Sequence, residues 1–170
     1  FLADPFLIEY SGEVFCFVED YFKDEHKGKI SVLKVVGQEL QMLGVVLEED
    51  FHLSFPFVFK CGEDIYMIPE TSRANAIRIY RASVFPLQWE FVMTLIDGLG
   101  AVDTTVFEVR GKWFLLTSFC SAGIGDKSSE LHLYSSENLL SKDWTPAANN
   151  PVIFDSRKAR SGGLFQLEGK

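Results

Sequence analysis

The sequence has 170 residues, of which 47% are hydrophobic and 24% charged, a composition typical of one folded domain. Its net charge of −8 and its pI near 4.9 argue against a nucleic-acid or anionic-membrane partner, because binding phosphates requires clustered Lys and Arg. The three cysteines form no Cys-x-x-Cys pair, and no stretch approaches the roughly 18 apolar residues of a membrane helix. We therefore predict no metal, no other cofactor and no membrane insertion.

Short hydrophobic runs separated by glycine turns predict an all-β chain. The 16 Phe, 5 Tyr and 3 Trp favour strands, because aromatic side chains pack well on a pleated surface. The first hairpin is predicted from a strand over 4–8, a turn at Gly12 and a strand over 14–18 that stops at Glu19. An alternating strand over 29–35 and a fourth strand around 45–47 complete the unit.

The same pattern then recurs along the chain. Asp4 corresponds to Phe55 and Phe55 to Asp103, which gives offsets of 51 and 48 residues. Further strands are predicted over 65–69, 76–80, 89–95, 113–117, 130–134 and 144–153, and the second hairpin ends at Glu70 as the first ends at Glu19. A fourth copy begins at Ser161 and stops in a turn at 168–170. The glycine-rich loop over 121–129 lacks the spacing of a phosphate-binding loop.

A four-stranded unit that recurs about every fifty residues predicts the blades of a β-propeller, since one blade alone cannot bury its faces. The predicted blades are 1–50, 51–100, 101–158 and the beginning of a fourth at 159–170. An unclosed ring leaves unpaired strand edges, so the natural protein is expected to continue past Lys170.

Polar residues recur at two positions of each predicted hairpin. Asp4, Asp103 and Ser161 stand at the beginning of the first strand, where Phe55 breaks the series; Glu19, Glu70 and Ser118 stand at the end of the second. The start of one strand and the end of its antiparallel partner lie at the same edge of a blade. These groups are therefore predicted to converge at the mouth of the propeller's central channel. His52 and Arg160 are candidate donors at the same mouth. Alternatively, the acids are solvated strand ends, His52 is a surface residue and Arg160 pairs with one acid.

Several stretches carry a resemblance to a known family. The stretches are FLADPF, HLSFPFVF, IYMIPE, IYRASVFPLQWEF, VDTTVF and ARSGGLF. They resemble the N-terminal domain of plant glucosamine inositolphosphorylceramide transferases and bacterial relatives, and more distantly the five-bladed propellers of the furanosidase clan, which includes family 43-like glycoside hydrolases. The resemblance implies a five-bladed β-propeller, of which this chain holds about three blades and the first strand of a fourth.

The clan's catalytic pattern is matched only in part. Asp4 and Asp103 match its aspartates of the first and third blades and are the candidate catalytic residues. Where the clan has a fourth-blade glutamate, this chain has Ser161, whose hydroxyl cannot protonate a leaving glycosidic oxygen at a useful rate. The predicted function is therefore to bind or position a glycan or glycolipid acceptor, with substrate contacts from Glu19, His52, Glu70 and Arg160.

Two alternatives to this function stay open. One is an atypical glycoside hydrolase or transglycosidase, and the other is a structural or protein-interaction propeller. The resemblance also implies that a transferase domain is fused to, or associated with, this one.

Overall fold

The computed structural model describes residues 1–122 and 127–163. The chain divides into two compact units, Phe1–Gly100 and Ala101–Lys170. The regular elements of the described residues are β-strands and one short 3-10 turn, which confirms the all-β prediction. Residues 123–126 of the glycine-rich loop and the fourth repeat copy beyond residue 163 lie outside the described residues. No helix of the described part is long and apolar enough to cross a membrane.

Unit 1 contains two antiparallel sheets of four strands, in which each strand pairs with the next along the chain. The first sheet consists of β1 (Leu2–Tyr10), β2 (Glu13–Phe22), β3 (Lys27–Val36) and β4 (Glu39–Leu47). The second consists of β5 (Ser54–Cys61), β6 (Asp64–Glu70), β7 (Ala76–Val84) and β8 (Gln88–Asp97), with the 3-10 turn Ser72–Ala74 between β6 and β7.

The core of unit 1 is shared by the two sheets. Phe17 and Ile30 of the first sheet belong to the same buried cluster as Met67 and Tyr80 of the second. Strands β2, β5 and β6 each carry a run of five consecutive buried residues. Such runs are expected for strands that are covered on both faces, whereas a half-exposed strand alternates.

Unit 2 contains one antiparallel sheet built from β9 (Val102–Val109), β10 (Lys112–Ser118), β11 (Glu130–Ser136), β12 (Thr145–Pro146) and β13 (Ile153–Phe154). The continuous strand expected over 144–153 is split into β12 and β13, which pair with opposite ends of β11. Between them, the Asn150 amide donates to the Leu133 carbonyl at 2.9 Å and accepts the Leu133 N–H at 2.8 Å. The Asn150 side chain thus joins the segment between β12 and β13 to β11, together with the Ala147 N–H, which also donates to the Leu133 carbonyl at 2.9 Å.

The three hairpins share one irregularity at the start of their first strand. Asp4, Phe55 and Asp103 have φ angles of 48°, 44° and 52°, in the left-handed region that side chains other than Asn and Asp rarely adopt. The strand pairing shifts register beside each of them. The predicted correspondence of these three residues is therefore visible in the backbone as a repeated β-bulge.

Candidate functional site

Three carboxylates approach one another in unit 1. Asp4 lies in the bulge of β1, where its Oδ2 accepts the N–H of Phe55 at 3.3 Å. Glu19 pairs across the sheet with Ala3, the residue before Asp4. Glu70 ends β6 and accepts a hydrogen bond from the Ser72 hydroxyl at 2.8 Å. The bulge and the two strand ends thus bring together three acids that are distant in sequence.

Glu19 is the most perturbed of these acids. Only 8% of the residue is exposed. Burial, and to a smaller extent the nearby charges of Asp4 and Glu70, together raise the pKa of Glu19 to about 7, against a smaller opposing effect of the N-terminal amino group. The cluster therefore contains a carboxyl group that retains its proton up to neutral pH.

His52 lies next to Glu19 and is held in one orientation. Its Nδ1 accepts the N–H of Gly28 at 2.9 Å, so the neutral ring carries its proton on Nε2, which faces Glu19 Oε1 at 3.6 Å. Burial and then the charge of Arg73 lower the pKa of His52. A neutral His52 with its N–H directed toward Glu19 follows from these contacts.

Gly28 is required for this arrangement. A Cβ atom at this position would lie 2.3 Å from the Leu53 carbonyl oxygen, 2.9 Å from His52 Cε1 and 3.1 Å from Glu19 Oε1. The backbone oxygen cannot move aside, because Leu53 N–H donates to the Gly28 carbonyl at 2.9 Å and fixes the two segments together. A side chain at residue 28 would displace both His52 and Glu19.

An open cleft of about 560 Å³ adjoins the cluster. This volume is within the range of small-ligand sites, roughly 300–1,000 Å³. Two of the predicted substrate-binding residues, His52 and Glu70, line it. Its other lining residues are Tyr21, Glu25, His26, Lys27, Asp50, Phe51, Ser72 and Arg73.

Sequence reasoning missed most of the lining residues. The available signal was their closeness in sequence to the recognised positions, since Tyr21 follows Glu19 by two residues and Arg73 follows Glu70 by three. The aromatic rings of Tyr21 and Phe51 add apolar faces to a wall that is otherwise polar.

The remaining predicted site residues lie in unit 2. Asp103 is 3% exposed, and Arg160 Nε donates a hydrogen bond to its Oδ2. Ser118 donates to the Ala159 carbonyl at 2.7 Å, which ties the segment before Arg160 to the end of β10. The structure therefore brings Asp4, Glu19, His52 and Glu70 together in unit 1, and Asp103 with Arg160 in unit 2.

Within the described ranges, no three His, Cys, Asp or Glu side chains are arranged to hold a metal ion.

Comparison with known proteins assigns the chain to a family. The model of the family described as "Glucosamine inositolphosphorylceramide transferase 1, N-terminal" matches residues 1–170. The chain belongs to this family. A rice relative (Oryza sativa subsp. japonica) named glucosamine inositolphosphorylceramide transferase 1 is 37% identical over 175 residues, which cover 99% of this chain and 23% of the rice protein. The chain thus spans about a quarter of the length of this relative, and the resemblance inferred from the sequence is confirmed.

Solved structures with a similar fold are glycoside hydrolases. A thermostable family-43 glycoside hydrolase matches with a TM-score of 0.67 at 13% identity, covering 90% of this chain and 56% of that one. The catalytic domain of a Coprinopsis cinerea GH62 α-L-arabinofuranosidase matches with a TM-score of 0.71 at 13% identity, covering 91% of this chain and 51% of that one. At this level of identity the likeness concerns the fold alone.

Proposed function

We propose that this family member is the carbohydrate-directed part of a five-bladed β-propeller, and that it binds or positions a glycan or glycolipid acceptor. The sheets β1–β4, β5–β8 and β9–β12 would be its first three blades, with boundaries near residues 50, 100 and 158. The repeated four-stranded sheets, the fold shared with glycoside hydrolases and membership in a family named for a glycolipid transferase support this proposal.

One observation carries the functional part of the proposal: Glu70 and the oriented His52 line an open cleft in unit 1, and both lie near the carboxylate of Glu19, which in turn lies near Asp4. Carboxylates accept hydrogen bonds from sugar hydroxyls, and the faces of Tyr21 and Phe51 provide apolar surface for a sugar ring. In unit 2, buried Asp103 orients the half-exposed Arg160 guanidinium, which we assign as a second donor to sugar hydroxyls.

Binding is favoured over hydrolysis by the residue at the start of the fourth copy. Ser161 replaces the glutamate that a clan hydrolase would use as general acid. The matched residues make up 23% of the rice relative, so the rest of that protein is long enough to contain a transferase domain. We therefore assign to this chain the task of holding the acceptor, and to an associated domain the transfer of the sugar.

Glycan-array binding tests the proposal. The wild-type protein should bind a restricted set of glycans, and Asp4→Asn combined with Glu70→Gln should reduce this binding by about tenfold or more, because each substitution removes a charged acceptor. Glu39→Gln, at an exposed residue of β4, is the matched control and should bind normally. Absence of binding by the folded wild-type protein, or equal binding by the double variant, would favour a structural or protein-interaction role.

Catalysis remains the second candidate because of Glu19. A carboxyl group with a pKa near 7 holds a proton at the pH where a general acid must donate one. An atypical hydrolase or transglycosidase would release sugar from a glycan that binds the wild-type protein on the array. Glu19→Gln would abolish this turnover and leave glycan binding unchanged. Intact glycan after prolonged incubation would exclude this candidate.

A further inference from the structure

We propose that Arg78 is a positioning residue of the cleft in unit 1. It holds the ring of Phe51, and this ring contacts the C–H groups of a bound sugar, whereas Arg78 does not itself line the cleft. The inference rests on the proposed function, because it takes the cleft as a carbohydrate site and adds how one of its walls is kept in place.

The guanidinium of Arg78 lies against two aromatic rings. Arg78 belongs to β7, and its Cζ lies 5.0 Å from the ring centroid of Phe51 and 5.5 Å from that of Phe91. Both distances are within the roughly 6 Å over which a cation is attracted to the face of an aromatic ring. Phe91 belongs to β8, whereas Phe51 lies between β4 and β5 and lines the cleft. An arginine of the second sheet is thus in contact with a ring of the cleft wall.

Ring contacts and a long ion pair, rather than a bidentate hydrogen bond, hold this guanidinium. The Nε of Arg78 is buried and has no hydrogen-bond partner within the part of the chain that the structure describes. Its Nη1 lies 3.8 Å from Glu49 Oε1, beyond hydrogen-bond distance, and the same oxygen accepts the Tyr80 hydroxyl at 2.6 Å. An arginine in a bidentate pair would take its orientation from the carboxylate. The orientation of Arg78 is instead coupled to the rings of Phe51 and Phe91.

Other contacts fix the backbone on both sides of Phe51. Before it, the Glu49 carbonyl accepts Lys27 Nζ at 2.9 Å. After it, the buried Leu53 donates its N–H to the Gly28 carbonyl at 2.9 Å. Loss of the guanidinium should therefore leave the course of this segment unchanged and release only the ring of Phe51.

A fixed aromatic ring suits the apolar part of a sugar. The same cleft contains the carboxylate of Glu70, so it offers acceptors for hydroxyl groups and an aromatic surface for C–H groups, and a sugar ring carries both. A side chain that is already ordered loses less conformational entropy when a ligand binds. Arg78 should therefore increase the affinity for a sugar by acting through Phe51.

A double-mutant cycle on glycan affinity tests the inference. The probe is the free oligosaccharide that gives the strongest wild-type signal on the glycan array, titrated by calorimetry. Arg78→Gln should weaken its binding about three- to tenfold, because the ligand must then order the Phe51 ring. In a Phe51→Leu background, the same substitution should change the affinity by less than about twofold, because the ring through which Arg78 acts is gone. Arg81→Gln, on the same strand and in an ion pair with Glu90, is the matched control and should bind like the wild type.

The ring of Phe51 provides a second readout, which requires no ligand. In protein with ¹³C-labelled phenylalanine, the ring signals of Phe51 should shift and show greater mobility in Arg78→Gln than in the wild type. Should Arg78→Gln fail to fold, Phe91→Leu serves in its place: it removes the second ring from Arg78, leaves the cleft lining unchanged and should also mobilise the Phe51 ring.

The outcomes separate this inference from the proposed function. Unchanged ring signals of Phe51, a normal glycan affinity of Arg78→Gln, or an equal loss of affinity in the Phe51→Leu background would overturn the positioning role alone. Absence of glycan binding by the folded wild-type protein would overturn it together with the proposed function.

Discussion

At the scale of residues, burial and two neighbouring carboxylates raise the pKa of Glu19 in unit 1 to about 7. Asp4, Glu19 and Glu70 lie close enough to repel one another when all are ionised, and Glu19, the most buried, retains the proton. His52 does not relieve the repulsion, because its Nδ1 is used by Gly28 and its pKa is lowered rather than raised. The carboxylates of the cluster therefore repel one another, and a proton or a ligand that donates hydrogen bonds to them relieves this repulsion.

Replacement of Glu19 by Gln should change how stability depends on pH. The pKa of Glu19 is about 7 in the folded protein and has a reference value of 4.5, so between these values the folded state binds more protons than the unfolded state. Stability of the wild type should therefore fall as the pH rises from about 4.5 to 7 and level off above, by on the order of 2–3 kcal/mol at most. Glu19→Gln should remove this fall. Urea denaturation at half-unit pH steps measures it.

The control for this experiment is Glu39→Gln, which removes an exposed carboxylate from β4. It should follow the wild-type pH dependence, since residue 39 is distant in the sheet register from the cluster. A wild-type curve that rises between pH 5 and 7 and is matched by Glu19→Gln would show that the carboxyl is ionised in the folded protein.

At the scale of elements, the sequence repeat predicts equivalent positions because each copy adopts the same backbone conformation at the start of its first strand. The alignment of Asp4, Phe55 and Asp103 predicted equivalent positions, and all three adopt the same left-handed conformation next to the same register shift. The hairpin turns could also be predicted from the sequence, because a glycine follows the first strand of each copy. Phe55 shows that the bulge persists without an aspartate, held by a buried ring that packs edge-on against Phe6 at 4.8 Å.

Other features of the elements depend on contacts that no local pattern contains. The requirement for Gly28 arises from Leu53 and His52, more than twenty residues away. The hydrogen bond from Lys27, in the wall of the cleft, to Glu48 joins residues that lie 21 positions apart. These are relations between separate segments, so sequence periodicity identifies the strands and leaves the walls of the cleft undetermined.

The split strand of unit 2 leads to a second prediction. Asn150→Ala removes both side-chain hydrogen bonds to Leu133. The Leu133 carbonyl keeps the Ala147 N–H, but the partly buried Leu133 N–H loses its acceptor, which should destabilise unit 2 by about 1–3 kcal/mol. Hydrogen exchange at the Leu133 amide should accelerate in parallel. Asn149→Ala, at the exposed neighbouring residue, should change stability by less than about 0.5 kcal/mol. Equal effects of the two substitutions would show that the amide bridge contributes nothing to the sheet.

At the scale of the whole molecule, the net charge of −8 affects long and short ligands differently. A long polyanion that extends along the surface meets many repelling charges. Charges that lie farther from a short ligand than the Debye length of about 8 Å at physiological salt are largely screened from it. Ligand length, as much as ligand charge, should therefore decide which anions are excluded.

The final prediction follows from this difference in range. A fluorescent DNA duplex of about 20 base pairs should show no anisotropy change with the protein at roughly 0.15 M salt, since its binding requires several phosphate contacts from clustered cations. A glycan that binds the wild-type protein on the array should still bind under the same conditions, because its hydroxyls carry no charge for the surface to repel. Salt-dependent DNA binding by the wild type would mean that the basic groups act as an extended patch, and it would contradict the argument from net charge against a nucleic-acid partner.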